Sequence, residues 1–83
     1  MLVCLGGKKY IPCEDFAACS AAIKKHIAAH FYGANDFYKG KNAGVILHPK
    51  KGEIAYVSYN GRVWESQIGK PTKEITDLTK NDL

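Results

Sequence analysis

Residues 43–67, AGVILHPKKGEIAYVSYNGRVWESQ, restrict this chain more than any other stretch, because they can hardly be anything but an antiparallel meander. Three runs rich in aliphatic and aromatic side chains, 44–48, 53–59 and 62–66, alternate with segments built for reversal. Asn60-Gly61 supplies two residues that tolerate positive φ, which predicts a two-residue type I′ hairpin turn. Pro49-Lys50-Lys51-Gly52 suits a four-residue loop, with proline at its first turn position and glycine where a left-handed residue is needed.

Turn lengths set register, and register sorts side chains onto faces. The two-residue turn sets Tyr59 opposite Arg62, Val57 opposite Trp64 and Tyr56 opposite Glu65. The longer loop sets His48 opposite Glu53, Leu47 opposite Ile54 and Val45 opposite Tyr56. One face then carries Val45, Leu47, Ile54, Tyr56 and Val63, with the polar Ser58 and Glu65 toward its ends. Its aliphatic bulk marks it as the expected core face. The other carries Ile46, Ala55, Val57, His48 and Ser66, and leaves Tyr59, Arg62 and Trp64 as a half-exposed aromatic and basic patch.

Upstream, residues 12–32 read as the main helix. Glu14 and Asp15 fall in its first turn, where the helix dipole favours acids, and Gly33 suits a left-handed C-terminal cap. Phe16, Ser20, Ile23, Ile27 and Phe31 recur at helical spacing and should lie on the sheet. Residues 2–5 read as a short strand, ended by Gly6-Gly7, with Tyr10-Ile11 placed to resume pairing. Gly6-Gly7-Lys8-Lys9 is not a phosphate loop, since it lacks the wider glycine spacing and the Ser/Thr that follows the lysine. Residues 35–42, NDFYKGKN, are expected as a loop in which Phe37 and Tyr38 stand beside Lys39 and Lys41. Past Gly69 the pattern fades, and residues 71–78 suit either a short helix or an added edge strand.

A chain of 83 residues makes one small domain, so 1–83 is expected as a single α+β unit with 69–83 as an irregular tail. The order expected is β-α-β-β-β, a single helix packed on a small antiparallel sheet. A net charge of +4 excludes a mimic of the DNA backbone, which would have to be strongly acidic. Cys4, Cys13 and Cys19 are odd in number and form no CxxC pair, which fits reduced thiols in a cytoplasmic protein. No run approaches the ~20 apolar residues of a membrane span, and residues 1–5 are too short for a signal peptide.

Candidate chemistry is sparse. His26 and His30, four apart, could share one helical face as metal ligands, but Cys19 lies about 10.5 Å along the axis from His26 and no glutamate follows His26. They read as surface histidines, and no metal or cofactor is expected. No nucleophile is set beside a base, no carboxylate pair stands out and no cofactor loop is present, so no catalytic residue is assigned and the protein is expected not to be an enzyme.

The succession of strand, Ala-rich helix and the meander AGVILHPKKGEIAYVSYNGRVWE resembles the small phage-encoded anti-CRISPR proteins that lay one helix against an antiparallel sheet. The likeness covers residues 15–66 and rests on the G-V strand, the Gly turn, the I-A-Y strand and the N-G-R-V-W return. The long helix-to-strand loop and the tail depart from it. The resemblance implies a phage protein in the host cytoplasm, an inhibitor that occupies the surface of a host protein or nucleoprotein complex and blocks its engagement with nucleic acid. It carries a partner-binding role to Tyr59, Arg62 and Trp64. The Phe37, Tyr38, Lys39 and Lys41 segment is a second expected contact. The alternative is a small nucleic-acid-binding module, with Lys39, Lys41 and Arg62 on phosphates and the aromatics stacked on bases.

Overall fold

A computed structural model describes residues 1–65 and 73–79. Strands β1 (Leu2–Gly6) and β2 (Lys9–Pro12) form a hairpin, followed by α1 (Phe16–His30) and a short second helix, α2 (Ala34–Tyr38). The meander follows as β3 (Val45–His48), β4 (Gly52–Val57) and β5 (Val63–Glu65), and β6 (Glu74–Ile75) closes the sheet. The class is α+β as expected, but the antiparallel sheet is larger, with six strands in the order β2-β1-β3-β4-β5-β6. The added strands are β2, from the Tyr10-Ile11 region, and β6, from the segment that had suited either a helix or an edge strand. Residues 69–72 and 80–83 of the expected tail lie outside the described residues.

The main helix begins later than expected. Pro12 ends β2, and Asp15 is the cap, its carboxylate accepting the Ala18 amide at 2.8 Å, so Glu14 and Asp15 precede the first turn instead of filling it. The helix ends on Phe31, not Gly33. Phe31 takes φ 54°, and the Phe31 and Tyr32 amides return to the carbonyls of Ala28 and Ile27. A phenylalanine in the left-handed region is a true outlier. Gly33 instead opens α2, its amide donating to the Asp36 carboxylate, so residues 34–38 are helical where a loop was expected.

The core lies between α1 and one face of the sheet. Phe16, Cys19, Ser20 and Ile23 of α1 are buried over Val3, Ile46, Ala55, Val57 and Val63, with Phe37 of α2 sealing one end. At ~1.5–3 kcal/mol for each large apolar side chain, this contact dominates the stabilisation of the fold. Ile27 is half-buried against it, but Phe31 is 93% exposed, which removes it from the expected stripe. The Ser20 hydroxyl, buried among apolar groups, donates to the Gly61 carbonyl at 2.7 Å.

The core face is the one carrying Ile46, Ala55 and Val57, opposite to the face that aliphatic bulk had marked, because the smaller side chains are the ones that fit beneath α1. Separately, one extra residue at a turn changes which residues of β5 join each face. The Ser58 amide donates to the Arg62 carbonyl and the Gly61 amide to the Ser58 carbonyl, so the loop is Tyr59-Asn60-Gly61, three residues long. Of the three only Gly61 has positive φ, at 85°. This is the turn-plus-bulge hairpin, not type I′. Tyr56 therefore pairs with Trp64 and Val57 with Val63, which returns Val63 to the core side and sends Trp64 to the outer side with Tyr56. A second shift lies between Ile46 and Leu47, pairing Leu47 with Glu53 and His48 with Gly52, while Val45 opposite Tyr56 is as expected.

Gly44 ties the layers together. Its amide donates to the Cys4 carbonyl and its carbonyl accepts the Val57 amide, both at 2.8 Å. With φ at 87°, a Cβ here would overlap the Val57 carbonyl oxygen and crowd the Phe37 ring. Only glycine fits.

Candidate functional site

Among the described residues α1 covers only one face of the sheet, and the other face, bordered by α2 at one end, is not polar. One cross-strand row runs Val45, Tyr56, Trp64 and Glu74, each residue paired with the next. A second row pairs Leu2 with Leu47. Val45, Leu47, Ile54, Tyr56 and Trp64 are half-buried and Leu2 is exposed.

At the β4–β5 end of this face an open cavity of about 390 Å³ is lined by Tyr38, Tyr56, Tyr59 and Trp64, together with Ser58 and Asn60. Ala34, at the start of α2, forms part of its wall. Four segments meet here, and hydrogen bonds hold them. The Tyr59 amide donates to the Tyr38 hydroxyl at 2.9 Å, and the Tyr59 hydroxyl donates to the Tyr32 carbonyl at 3.1 Å. These two bonds latch the hairpin tip to the connection between the helices. The Trp64 indole donates to the Ser58 hydroxyl at 3.3 Å, which in turn donates to the Asn60 side-chain oxygen. That same oxygen accepts the Arg62 amide at 3.2 Å. The side chain of Asn60 therefore stabilises the three-residue loop, and the loop aims Tyr59 and Trp64 at one space.

Of the residues expected to contact a partner, Tyr38, Tyr59 and Trp64 come together at this cavity. Arg62 stands outside it, exposed, with its guanidinium 4.0 Å from the Glu74 carboxylate. Lys39 is exposed and lies 3.8 Å from Asp36, and Lys41 is exposed with its carbonyl accepting the Gly7 amide. Phe37 is a correction: it is 2% exposed and belongs to the core, out of reach of a partner. Sequence reasoning missed Tyr56, which had been assigned to the core face. Its signal was period-2 alternation with Trp64, visible only once the loop is three residues long.

The histidines serve other ends. His26, His30 and Tyr32 form a cluster of rings, with His26 and His30 centroids 4.5 Å apart and His30 stacked on Tyr32 at 5.1 Å. Partial burial, then His30 and Lys9 nearby, hold the His26 imidazole below its ordinary value. His48 Nδ1 accepts the amides of Lys50 and Lys51 and so braces the β3–β4 turn. Among the described residues no three His, Cys, Asp or Glu side chains are grouped to hold a metal ion. All three cysteines are free thiols, and burial, reinforced by neighbouring Cys13, pushes the Cys19 thiol far up. A thiol so held is protonated and a poor nucleophile at neutral pH.

Among the described residues no helix is long and apolar enough to cross a membrane. Comparison of the chain with protein-family models, curated proteins and solved structures finds no match.

Proposed function

We propose that this is a non-enzymatic binding protein that inhibits a larger host complex by occupying its surface and blocking nucleic-acid engagement, acting in the host cytoplasm in the manner of anti-CRISPR proteins. One observation carries the binding part of this reading. Tyr38, 21 residues before Tyr59 in sequence, joins Tyr56, Tyr59 and Trp64 of the β4–β5 hairpin to line one open cavity on the sheet face away from α1. Tyrosine, tryptophan and arginine are the residues that most often dominate interface energies, and Arg62 borders the site. Phe31 adds weight. It holds a left-handed conformation costing about 1–2 kcal/mol while its ring stays 93% exposed, so the fold gains little from it. A contact with another molecule accounts for such a ring.

The nucleic-acid alternative draws less support. Arg62 and Lys39 each face a carboxylate, and among the described residues no cation lines the cavity. The test is capture of the target complex from the cells that carry the gene, comparing the native chain with Arg62→Glu and Trp64→Ala. Both variants should lose capture, and with it the block on nucleic-acid engagement, by at least about tenfold, as hot-spot truncation does. Their thermal transitions should still be cooperative. Retained capture by Trp64→Ala refutes this surface. Binding to nucleic acid alone, falling steeply with added salt, would establish the alternative.

A further inference from the structure

We propose that the cavity between α2 and the β4–β5 hairpin is an aromatic cage for a methylated ammonium group. The chemistry of the lining decides this. Among the described residues it contains three phenols and an indole and no charged side chain. An anion would find no cation there, since Arg62 and Lys39 stand outside and each faces a carboxylate. A sugar or a nucleobase would need donors and acceptors, but most are already engaged within the protein. The Trp64 N–H is held by Ser58, the Ser58 O–H by Asn60, the Tyr59 O–H by the Tyr32 carbonyl, and the Asn60 oxygen by two donors.

What remains to recognise a guest is the ring faces. Tyr56, Tyr59 and Trp64 stack on no other ring among the described residues, so no neighbouring ring competes with a guest for their faces. The negative face of an aromatic quadrupole attracts a cation, most of all one whose N–H bonds are replaced by methyl groups and whose hydration is weak. The latch through Tyr38 and Tyr59 holds the rings in place before any guest arrives, which reduces the ordering cost of binding. The inference deepens the reading of this surface as the partner contact, by naming the group it would grip.

Trp64 is the sole tryptophan of the chain, so its fluorescence reports on this cavity alone. The full chain is titrated with choline and with its neutral isostere, in which carbon replaces the charged nitrogen, at constant ionic strength. Choline should give a saturable change and bind about 2- to 30-fold more tightly than the isostere. Tyr56→Phe should keep the response, while Tyr56→Leu, which retains apolar bulk without a π face, should lose most of it. A peptide bearing trimethyllysine that outcompetes choline, while its unmodified version does not, would place the group on a protein partner. The reverse ranking would make the guest a free small cation. Equal binding of choline and isostere, an unchanged response in Tyr56→Leu, or no saturable response from the folded chain overturns the cage. A choline response with target capture indifferent to Trp64→Ala would keep the cage and retire the docking role. Lost capture without any choline response would do the opposite.

Discussion

The two faces of the sheet are made from alternate residues of the same strands, yet they are built on different rules. Beneath α1 the side chains are small or aliphatic: Val3, Ile46, Ala55, Val57 and Val63, all fully buried. On the open face the same strands carry Leu2, Val45, Leu47, Tyr56 and Trp64, larger on average and left partly in water. The buried face is limited by the space a helix leaves above a sheet, which favours compact, well-packed residues. The open face has no such ceiling, and its aromatics stand up to form walls. This partly exposed apolar face is the observation on which the proposed contact surface rests, since large exposed apolar patches commonly mark interaction sites.

Adjacent residues of β3 give the sharpest way to break this contrast. Ile46→Asp places an unpaired carboxylate beneath α1 and should cost several kcal/mol, enough to unfold a small domain, whereas Val45→Asp on the open face should cost about 1 kcal/mol or less. Urea midpoints of the two variants decide it, and equal losses would mean that both faces are core. A smaller effect of opposite sign tests Phe31. Phe31→Gly removes the left-handed strain without disturbing packing and should stabilise the domain by about 1 kcal/mol, read as a raised melting temperature, while weakening partner capture. Destabilisation would show that the exposed ring has a structural role. The smallest effect is alkaline. Burial raises the Cys19 thiol in the folded chain above its value of 9.0 in the unfolded one, so the unfolded state loses its proton first. Stability is therefore full below about pH 9 and should decline as pH rises beyond it. Cys19→Ala should flatten that decline in a pH series of denaturation curves.

Much of the fold was legible, because it follows from short-range chemistry. The meander follows from alternation and from turn residues, and the helix from its apolar period. Face assignment failed at two points: aliphatic bulk marked the wrong face of β3 and β4 as core, and the β4–β5 turn is one residue longer than expected. Asn60 can adopt positive φ, but here its side-chain oxygen serves the loop better by accepting from Ser58 and from the Arg62 amide, which lengthens the turn by one residue. Since side chains alternate with a period of two, that one residue put Trp64 beside Tyr56 instead of Val57, so that Trp64 stays on the open face as expected although the β4 residues sharing that face are different. The site was half legible. Tyr59 and Trp64 announce themselves as an aromatic pair on a hairpin, but the arrival of Tyr38 depends on α2, a five-residue helix too short to leave a period in the sequence. Phe31 was misread because the apolar spacing continues one step past the point where the backbone turns out of the helix.

The position of β1 between β2 and β3 has a consequence for the order of assembly. The β3–β4–β5 meander joins consecutive segments, so its pairing closes only short loops. Seating β1 beside β3, with Gly44 bonded to Cys4, closes a loop that contains β2 and both helices. Loop closure of that length must be met before its contacts contribute, which makes it the slow step. The meander should therefore nucleate folding, and β1 should dock late. Conservative truncations in β4 should slow refolding in stopped-flow measurements, while Val3→Ala should mainly speed unfolding. A Val3→Ala variant that refolds slowly would place β1 in the nucleus instead. On this order the β4–β5 part of the aromatic face takes shape before the sheet is complete, so its rings stand in place before the strand that closes the core.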